Sequence, residues 1–176
     1  MKILVCIDLQ KDFCSPNGTL ANPAAAALIP AIKERILNAR ENNEMVIFTQ
    51  DTHMKDYMST LEGEKLPIEH CIYQTEGWEI VDELASEAAL RVMKLTFGSL
   101  DLIERIATLR DAFNDEIEIE VCGTVSSICV LANCILLRAA MPNTRIVVNQ
   151  NLIADITPEG QAAAITCLKA QQIDII

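Results

Sequence analysis

Apolar positions follow two different periods along this chain, and segments of each kind alternate from end to end. Short, mainly apolar runs are typical of strands that a sheet buries on both faces. They predict six strands, at residues 2–8, 45–49, 91–94, 117–122, 145–148 and 173–176. Between them, apolar residues at helical spacing predict helices at residues 23–41, 78–89, 99–110, 127–140 and 158–171.

This alternation predicts an α/β protein of three layers (α/β/α), in which helices cover both faces of a mostly parallel six-stranded sheet. We expect one domain over residues 1–176, because the chain is too short for two ordinary domains. The helix at 23–41 contains Pro30, so it either bends or begins there. Residues 51–77 show no clear period, and long loops in compact domains are often functional.

In sheets of this kind, ligands bind beyond the carboxyl ends of the strands, near the switch in strand order. The side chains at these ends are therefore the candidate site: Asp8, Gln10, Thr49, Gln50, Asp51, Lys94 and the segment 123–129. Among them, Asp8, Lys94 and Cys129 are the obvious reactive partners for one another.

Cys129 follows the fourth strand, where Gly123 allows a sharp turn and Ser126 can cap the next helix. Unpaired N–H groups in a first helical turn favour a thiolate, which is the nucleophilic form of cysteine. Asp8 can serve as its base if burial raises the carboxyl pKa, and Lys94 would then offset the negative charges. Taken singly, these residues could equally be a solvated acid, a surface lysine and a buried cysteine.

The composition limits the kinds of partner. A formal net charge of −11 argues against nucleic acid and against an anionic membrane, and no apolar run is long enough to span a bilayer. Seven cysteines, several inside predicted strands or helices, indicate reduced thiols in a cytoplasmic protein. We expect no secretory leader, because Met1 and Lys2 lead directly into the first strand.

Both histidines of the chain, His53 and His70, lie in the long segment 51–77. Asp51 and His53 are two residues apart, so an extended backbone places their side chains on the same side. Two histidines and a carboxylate in one loop can bind a zinc-like cation, although acidic loops with a histidine are also common without a metal.

Three segments resemble the isochorismatase-like cysteine hydrolases, a family that includes the nicotinamidases. They are Ile-Asp-Leu-Gln-Lys-Asp-Phe at 7–13, Lys-Leu-Thr-Phe-Gly-Ser at 94–99, and the segment 123–130. They occur in the family's order, and the resemblance covers nearly the whole chain. Each segment alone is weak, but the combination is specific.

The resemblance implies a catalytic triad of Asp8, Lys94 and Cys129. It also implies a cis peptide bond between Thr124 and Val125, which turns the backbone N–H groups of Val125 and Cys129 toward an oxyanion. Non-proline cis bonds are rare, so the residues by themselves do not predict this one.

The resemblance further implies one divalent metal, zinc or alternatively iron or manganese, that orients the pyridine nitrogen of a substrate or polarises a water. Asp51, His53 and His70 match the family's ligands residue by residue. The third ligand position lacks a histidine, so Glu62 is the first choice and Glu64 the second. Cys71 is a weaker candidate for this metal ligand than either glutamate.

The reaction implied is hydrolysis of a small amide through a cysteine thioester, with nicotinamide giving nicotinate and ammonia as the first choice. We expect Gln10, Phe13 and Leu20 to line the substrate pocket, since an aromatic face suits a planar substrate. Such hydrolases are often homo-oligomers, and we expect one here.

Some residues depart from the family pattern. Ser126 and Ser127 stand where many relatives have Thr-Asp, and Leu66 stands where nicotinamidases often have tryptophan. These differences leave the amide substrate open. Two alternatives therefore stay: a metal-free amidase or carbamoyl hydrolase of the same fold, and a non-catalytic binding protein that uses Cys129 as a redox switch.

Overall fold

The fold is seen in a computed structural model that describes residues 1–88, 90–113 and 116–176. Its strands are β1 (Lys2–Ile7), β2 (Met45–Asp51), β3 (Arg91–Lys94), β4 (Glu118–Thr124), β5 (Arg145–Ala154) and β6 (Asp174–Ile175). They form one six-stranded sheet in the order β3-β2-β1-β4-β5-β6, and each neighbouring pair is parallel. The predicted α/β fold is confirmed.

The helices alternate with the strands along the chain. They are α1 (Lys11–Cys14), α2 (Pro23–Glu41), α3 (Leu61–Lys65), α4 (Asp82–Ala85), α5 (Leu100–Ala112), α6 (Leu131–Ala140) and α7 (Pro158–Ala170). The other helical segments of the described residues are a 3₁₀ turn at Tyr57–Ser59 and a π-helical turn at Ser126–Val130. Among these segments, every helix is too short or too polar to cross a membrane.

Each face of the sheet has its own apolar core, because successive strand side chains point to opposite faces. One core packs alternate residues of β1 and β4 against α5, α6 and α7, through side chains such as Leu102, Leu137 and Leu168. The other packs the intervening residues against α2 and α4, through side chains such as Ile32 and Leu84. The sheet is therefore the middle of three layers.

The strand order reverses beside β1, which has β2 on one side and β4 on the other. Chain connections leave the two sides of such a switch in opposite directions and open a crevice at the carboxyl ends of the strands. Asp8 follows β1, Asp51 and Lys94 end β2 and β3, and the turn that carries Cys129 follows β4. The switch therefore brings the candidate residues together.

Helix α2 runs through Pro30 and begins well before it. Pro23 is the first helical residue, and the Asn22 side chain accepts a hydrogen bond from the Ala24 N–H at 3.0 Å. Proline at the first position loses no helical hydrogen bond, and asparagine is a favoured cap. The alternative prediction that the helix begins at Pro30 is therefore wrong.

The predicted helix at 78–89 is wrong over most of its length, since only Asp82–Ala85 is helical and Ala89 lies outside the described residues. Tertiary hydrogen bonds hold the preceding segment in a non-helical turn and bridge. The Trp78 carbonyl accepts the side-chain amides of Gln10 and Gln50, each at 3.0 Å, and Ile80 forms an antiparallel bridge with Gln10. A helix starting at Trp78 could not make these bonds.

Gly123 lies within β4, paired with Ile7 of β1. Its φ is +118°, and a Cβ there would stand 2.1 Å from the Ile7 carbonyl oxygen. Glycine is needed both for the backbone conformation and for the close approach of the two strands. That approach brings the turn after β4 next to Asp8.

We expect Gly123→Ala to lower the free energy of unfolding by more than about 2 kcal/mol, because it combines a disfavoured φ with a clash against backbone. Denaturant unfolding monitored by circular dichroism measures the change. Gly98→Ala is the matched control, since its Cβ meets only the end of the flexible Leu136 side chain, at 2.5 Å. Equal losses in the two variants would contradict the argument.

Candidate active site

Lys94, Asp8 and Cys129 meet at the carboxyl end of the sheet. The Lys94 Nζ is 2.8 Å from Asp8 Oδ2 and 3.5 Å from Cys129 Sγ. All three side chains are buried, so water screens their charges poorly. The structure therefore brings together the three residues predicted as reactive partners, with Asp8 and Cys129 both in contact with the Lys94 ammonium group.

Thr49 orients the Asp8 carboxylate. Its hydroxyl donates to Asp8 Oδ1 at 2.6 Å and accepts the Asp8 backbone N–H at 3.2 Å. Asp8 has a φ of +51°, so its backbone turns sharply after β1. Among the described residues, Oδ2 accepts no hydrogen bond of good geometry, although it is ion-paired with Lys94. One carboxylate oxygen is thus fixed and the other is left to face the lysine and the thiol.

Burial and mutual charge set the protonation of the triad. Burial raises the pKa of Cys129 well above its usual range, and the Asp8 carboxylate adds to this rise while Lys94 opposes it. Burial also raises the pKa of Asp8 against the opposing effect of Lys94. Burial alone would lower the pKa of Lys94, but Asp8 and Cys129 raise it, so the lysine stays charged. The helix terminus alone therefore does not supply a thiolate at Cys129.

The turn that carries Cys129 differs from the predicted helix start. Ser126 does not cap the helix, because Val125 precedes a π-helical turn and the Ser126 hydroxyl donates to Gln161 Oε1 at 2.7 Å. Asp155 takes over part of the capping, since its Oδ2 accepts the Ser127 N–H at 2.7 Å. The peptide bond between Thr124 and Val125 is cis.

Asn133 joins the cysteine turn to the loop that follows Lys94. Its side-chain amide donates to the Cys129 carbonyl at 2.8 Å and to the Phe97 carbonyl at 3.1 Å, and its Oδ1 accepts the Ser99 N–H at 3.0 Å. The residue is fully buried. Sequence reasoning listed Thr49 among the strand-end residues without giving it a role, and it missed Asn133 and Asp155. A polar residue inside an apolar helix is the only signal that Asn133 gives, and Asp155 follows β5 in a loop.

Asp51, His53 and His70 form a compact donor cluster in which all ligand atoms lie within 4.8 Å of one another. His53 Nε2 is 3.1 Å and His70 Nε2 is 3.6 Å from Asp51 Oδ2. Glu62 adds a fourth donor, since its Oε1 is 3.7 Å from His53 Nε2 and 3.8 Å from His70 Nε2. Glu64 is exposed on the same short helix.

These donors fit a divalent metal. A set of two imidazole nitrogens and two carboxylates suits zinc, iron or manganese. His70 Nδ1 is 2.8 Å from the Ile68 carbonyl, a contact that leaves Nε2 facing the cluster. Cys71 has a φ of +46° and is fully buried in the apolar core around α2.

Lys94 also touches the donor cluster, because its Nζ lies 2.9 Å from Asp51 Oδ1. Burial alone would raise the pKa of Asp51, but Lys94 and the two histidines lower it well below its usual range. Asp51 therefore stays a carboxylate, with Oδ1 on the lysine and Oδ2 toward the histidines. One aspartate links the reactive cysteine centre to the donor cluster.

A cavity of about 930 Å³ opens over both centres. Cys129, Val125, Phe13 and Leu20 line it together with the donor cluster. Gln10 is wrongly predicted as a pocket residue. It is fully buried below the cavity, where its side chain donates to the Asp51 carbonyl at 2.8 Å and accepts the Asp51 N–H at 2.7 Å. Gln10 instead holds the end of β2 in place.

The chain matches one protein family, described as the isochorismatase domain, over residues 2–176. The nicotinamidase of Saccharomyces cerevisiae is 26% identical over 140 residues, which make up 65% of this chain and 64% of the yeast protein. The match thus spans less than two thirds of that relative's length.

Several solved structures share the whole fold. The pyrazinamidase/nicotinamidase of Streptococcus mutans superimposes with a TM-score of 0.86 at 25% identity and covers all of both chains. The nicotinamidase of Bacillus subtilis gives 0.83 at 26% identity, over 98% of this chain and 97% of that one. The pyrazinamidase of Pyrococcus horikoshii, solved in complex with zinc, gives 0.81 at 25% identity, over 99% and 98%.

We expect Lys94→Met to lower the free energy of unfolding by about 3–5 kcal/mol, since it leaves two buried carboxylates without a positive charge. Adding Asp8→Asn should restore part of the loss, because it removes one of those charges. Denaturant unfolding in the presence of a chelator measures both variants in a defined metal-free state. A single variant as stable as the unaltered protein would contradict the proposed balance of charge.

Proposed function

The chain belongs to the isochorismatase domain family, and we propose that residues 1–176 form one catalytic domain of a metal-dependent cysteine hydrolase. Its substrate is a small amide, with nicotinamide as the first choice, and its products are the carboxylic acid and ammonia. The resemblance to nicotinamidases and pyrazinamidases of known structure supports this choice of substrate.

The position of Lys94 is the observation that supports the proposal most directly. Its ammonium group contacts the base Asp8, the nucleophile Cys129 and the candidate metal ligand Asp51. A redox switch on Cys129 needs no buried lysine and no adjacent general base. A hydrolase needs both, because Asp8 must accept the Cys129 proton and Lys94 must stabilise the resulting thiolate beside the Asp51 carboxylate.

In the first half of the reaction, Asp8 takes the proton of Cys129 and the thiolate attacks the amide carbonyl carbon. The N–H groups of Val125 and Cys129 donate to the oxygen that becomes negatively charged. Asp8 then gives its proton to the leaving nitrogen, the C–N bond breaks, and ammonia departs. The acyl group remains on Cys129 as a thioester.

In the second half, Asp8 takes a proton from a water molecule, whose oxygen attacks the thioester carbonyl. The same N–H groups hold the oxyanion. The C–S bond breaks, the acid leaves, and the proton held by Asp8 returns to the thiol. Lys94 keeps its charge throughout and offsets whichever of Asp8 and Cys129 is anionic.

Asp51, His53, Glu62 and His70 would hold the metal. When bound, the ion supplies a Lewis acid that can anchor a heteroatom of the substrate, such as a pyridine nitrogen. Phe13 lines the same part of the cavity, with its ring 5.8 Å from that of His70, so its side chain can pack against a planar ring.

We expect the purified protein to release ammonia from nicotinamide, and Cys129→Ala to lower kcat at least about 10³-fold, since no other group can form the thioester. An enzyme-coupled ammonia assay measures both. Cys167→Ala is the matched control, because Cys167 is the exposed cysteine of the described residues. Full activity in Cys129→Ala would overturn the proposal.

We expect the protein to bind one equivalent of Zn²⁺, and Glu62→Gln to weaken this binding at least about tenfold, because it removes an anionic ligand. Glu64→Gln should leave the affinity unchanged, since Glu64 points to solvent. Competition against a zinc indicator gives the affinities without relying on turnover. Equal loss in both variants would mean that Glu62 is not a ligand.

A further inference from the structure

The cavity is large for nicotinamide. Sites of about 300–1,000 Å³ bury ligands of drug size, and the volume of about 930 Å³ is near the top of that range. A single six-membered ring with a carboxamide, placed between Cys129 and the donor cluster, occupies only the inner end. The outer part of the cavity is therefore available to a further group of a larger ligand.

Apolar side chains surround this outer part. Leu61, Leu95, Phe97 and Ile156 line the cavity, and all four are among the large apolar side chains that stay exposed, with Leu61 and Ile156 each 69% accessible. They come from α3, from the loop after β3 and from the loop after β5, so three separate segments converge on one opening. Exposed apolar groups that cluster around a cavity mark a binding surface.

Charged side chains are scarce on this outer wall. The charged and histidine residues that line the cavity are Asp51, His53, Glu62, Lys65 and His70. All of them except Lys65 belong to the donor cluster. The wall beside Cys129 continues the apolar character through Val125 and Ile128. A polar or anionic extension of the substrate would lose hydration against these apolar side chains, and Lys65 is the charged side chain of the lining that is left to pair with it.

We propose that the preferred substrate is an aromatic carboxamide larger than nicotinamide, which carries an apolar substituent that packs against Leu61, Leu95, Phe97 and Ile156. This inference rests on the proposed amide hydrolysis and names the class of amide. The apolar wall is continuous with the reactive end of the same cavity, so a single molecule can contact both.

Three amides test the proposal: nicotinamide, a ring-phenylated nicotinamide, and an analogue that bears a carboxylate in place of the phenyl group. We expect kcat/KM for the phenyl compound to exceed that for nicotinamide by at least about tenfold, mainly through a lower KM, because burial of a phenyl ring adds binding energy. The carboxylate analogue should be cleaved more slowly than nicotinamide.

Two phenylalanine variants locate the effect. Phe97→Ser should lower the ratio of kcat/KM for the phenyl compound over nicotinamide by about fivefold, because one of four packing side chains is lost. Phe113→Ser is the matched control, since Phe113 has the same 47% exposure as Phe97 and lies outside the cavity lining. It should leave the ratio unchanged.

The outcomes separate the two proposals. If none of the three amides releases ammonia, the proposed hydrolase activity is wrong. If nicotinamide is cleaved and the phenyl compound is no better, the hydrolase stands and the apolar substituent is wrong. If light scattering shows that Phe97→Ser breaks an oligomer that Phe113→Ser keeps, and selectivity does not change, the apolar side chains are an interface between copies of the chain, which also overturns the inference.

Discussion

The buried Lys94 ammonium is the interaction on which the site depends. It is surrounded by the Asp8 carboxylate, the Asp51 carboxylate and the Cys129 thiol, at 2.8, 2.9 and 3.5 Å. Without it, the two desolvated carboxylates would repel each other, and they would also oppose deprotonation of the Cys129 thiol. With it, one negative charge can move between Asp8 and Cys129 while the net charge of the pocket stays the same. This is the condition that covalent hydrolysis by a buried thiol requires.

The parallel sheet makes that arrangement possible. Asp8, Asp51 and Lys94 occur at the carboxyl ends of three adjacent strands, in the spatial order β3-β2-β1, so the register of the sheet fixes their separation. On the other side of β1, Gly123 lets β4 approach the Ile7 carbonyl and sets the cysteine turn beside Asp8. Hydrogen bonds from Thr49, Gln10 and Asn133 then orient the groups that the backbone has brought together.

The two ends of the cavity have different chemistry. Cys129 and the nitrogen and oxygen donors line the inner end, with Lys94 and Asp8 buried next to them. The outer end is apolar. In the proposed reaction, the inner end supplies the groups that act on the carboxamide. The outer end bears on which carboxamide is preferred, since contacts there add binding energy without taking part in bond breaking.

The sequence by itself determined the order of strands and helices, because buried strands and amphipathic helices have distinct periods. It also selected Asp8, Lys94 and Cys129 as candidates, since a parallel sheet places ligands at its strand ends, and the structure brings these three side chains together. It ranked Glu62 above Glu64, and of these two side chains the structure brings Glu62 near both histidines. Tertiary structure alone decided the rest. Trp78 stays out of a helix because its carbonyl is needed by Gln10 and Gln50, and Gln10 supports Asp51 from below the cavity. Such partners lie 28 to 68 residues apart in the chain, and no local pattern of hydrophobicity encodes a hydrogen bond over that separation.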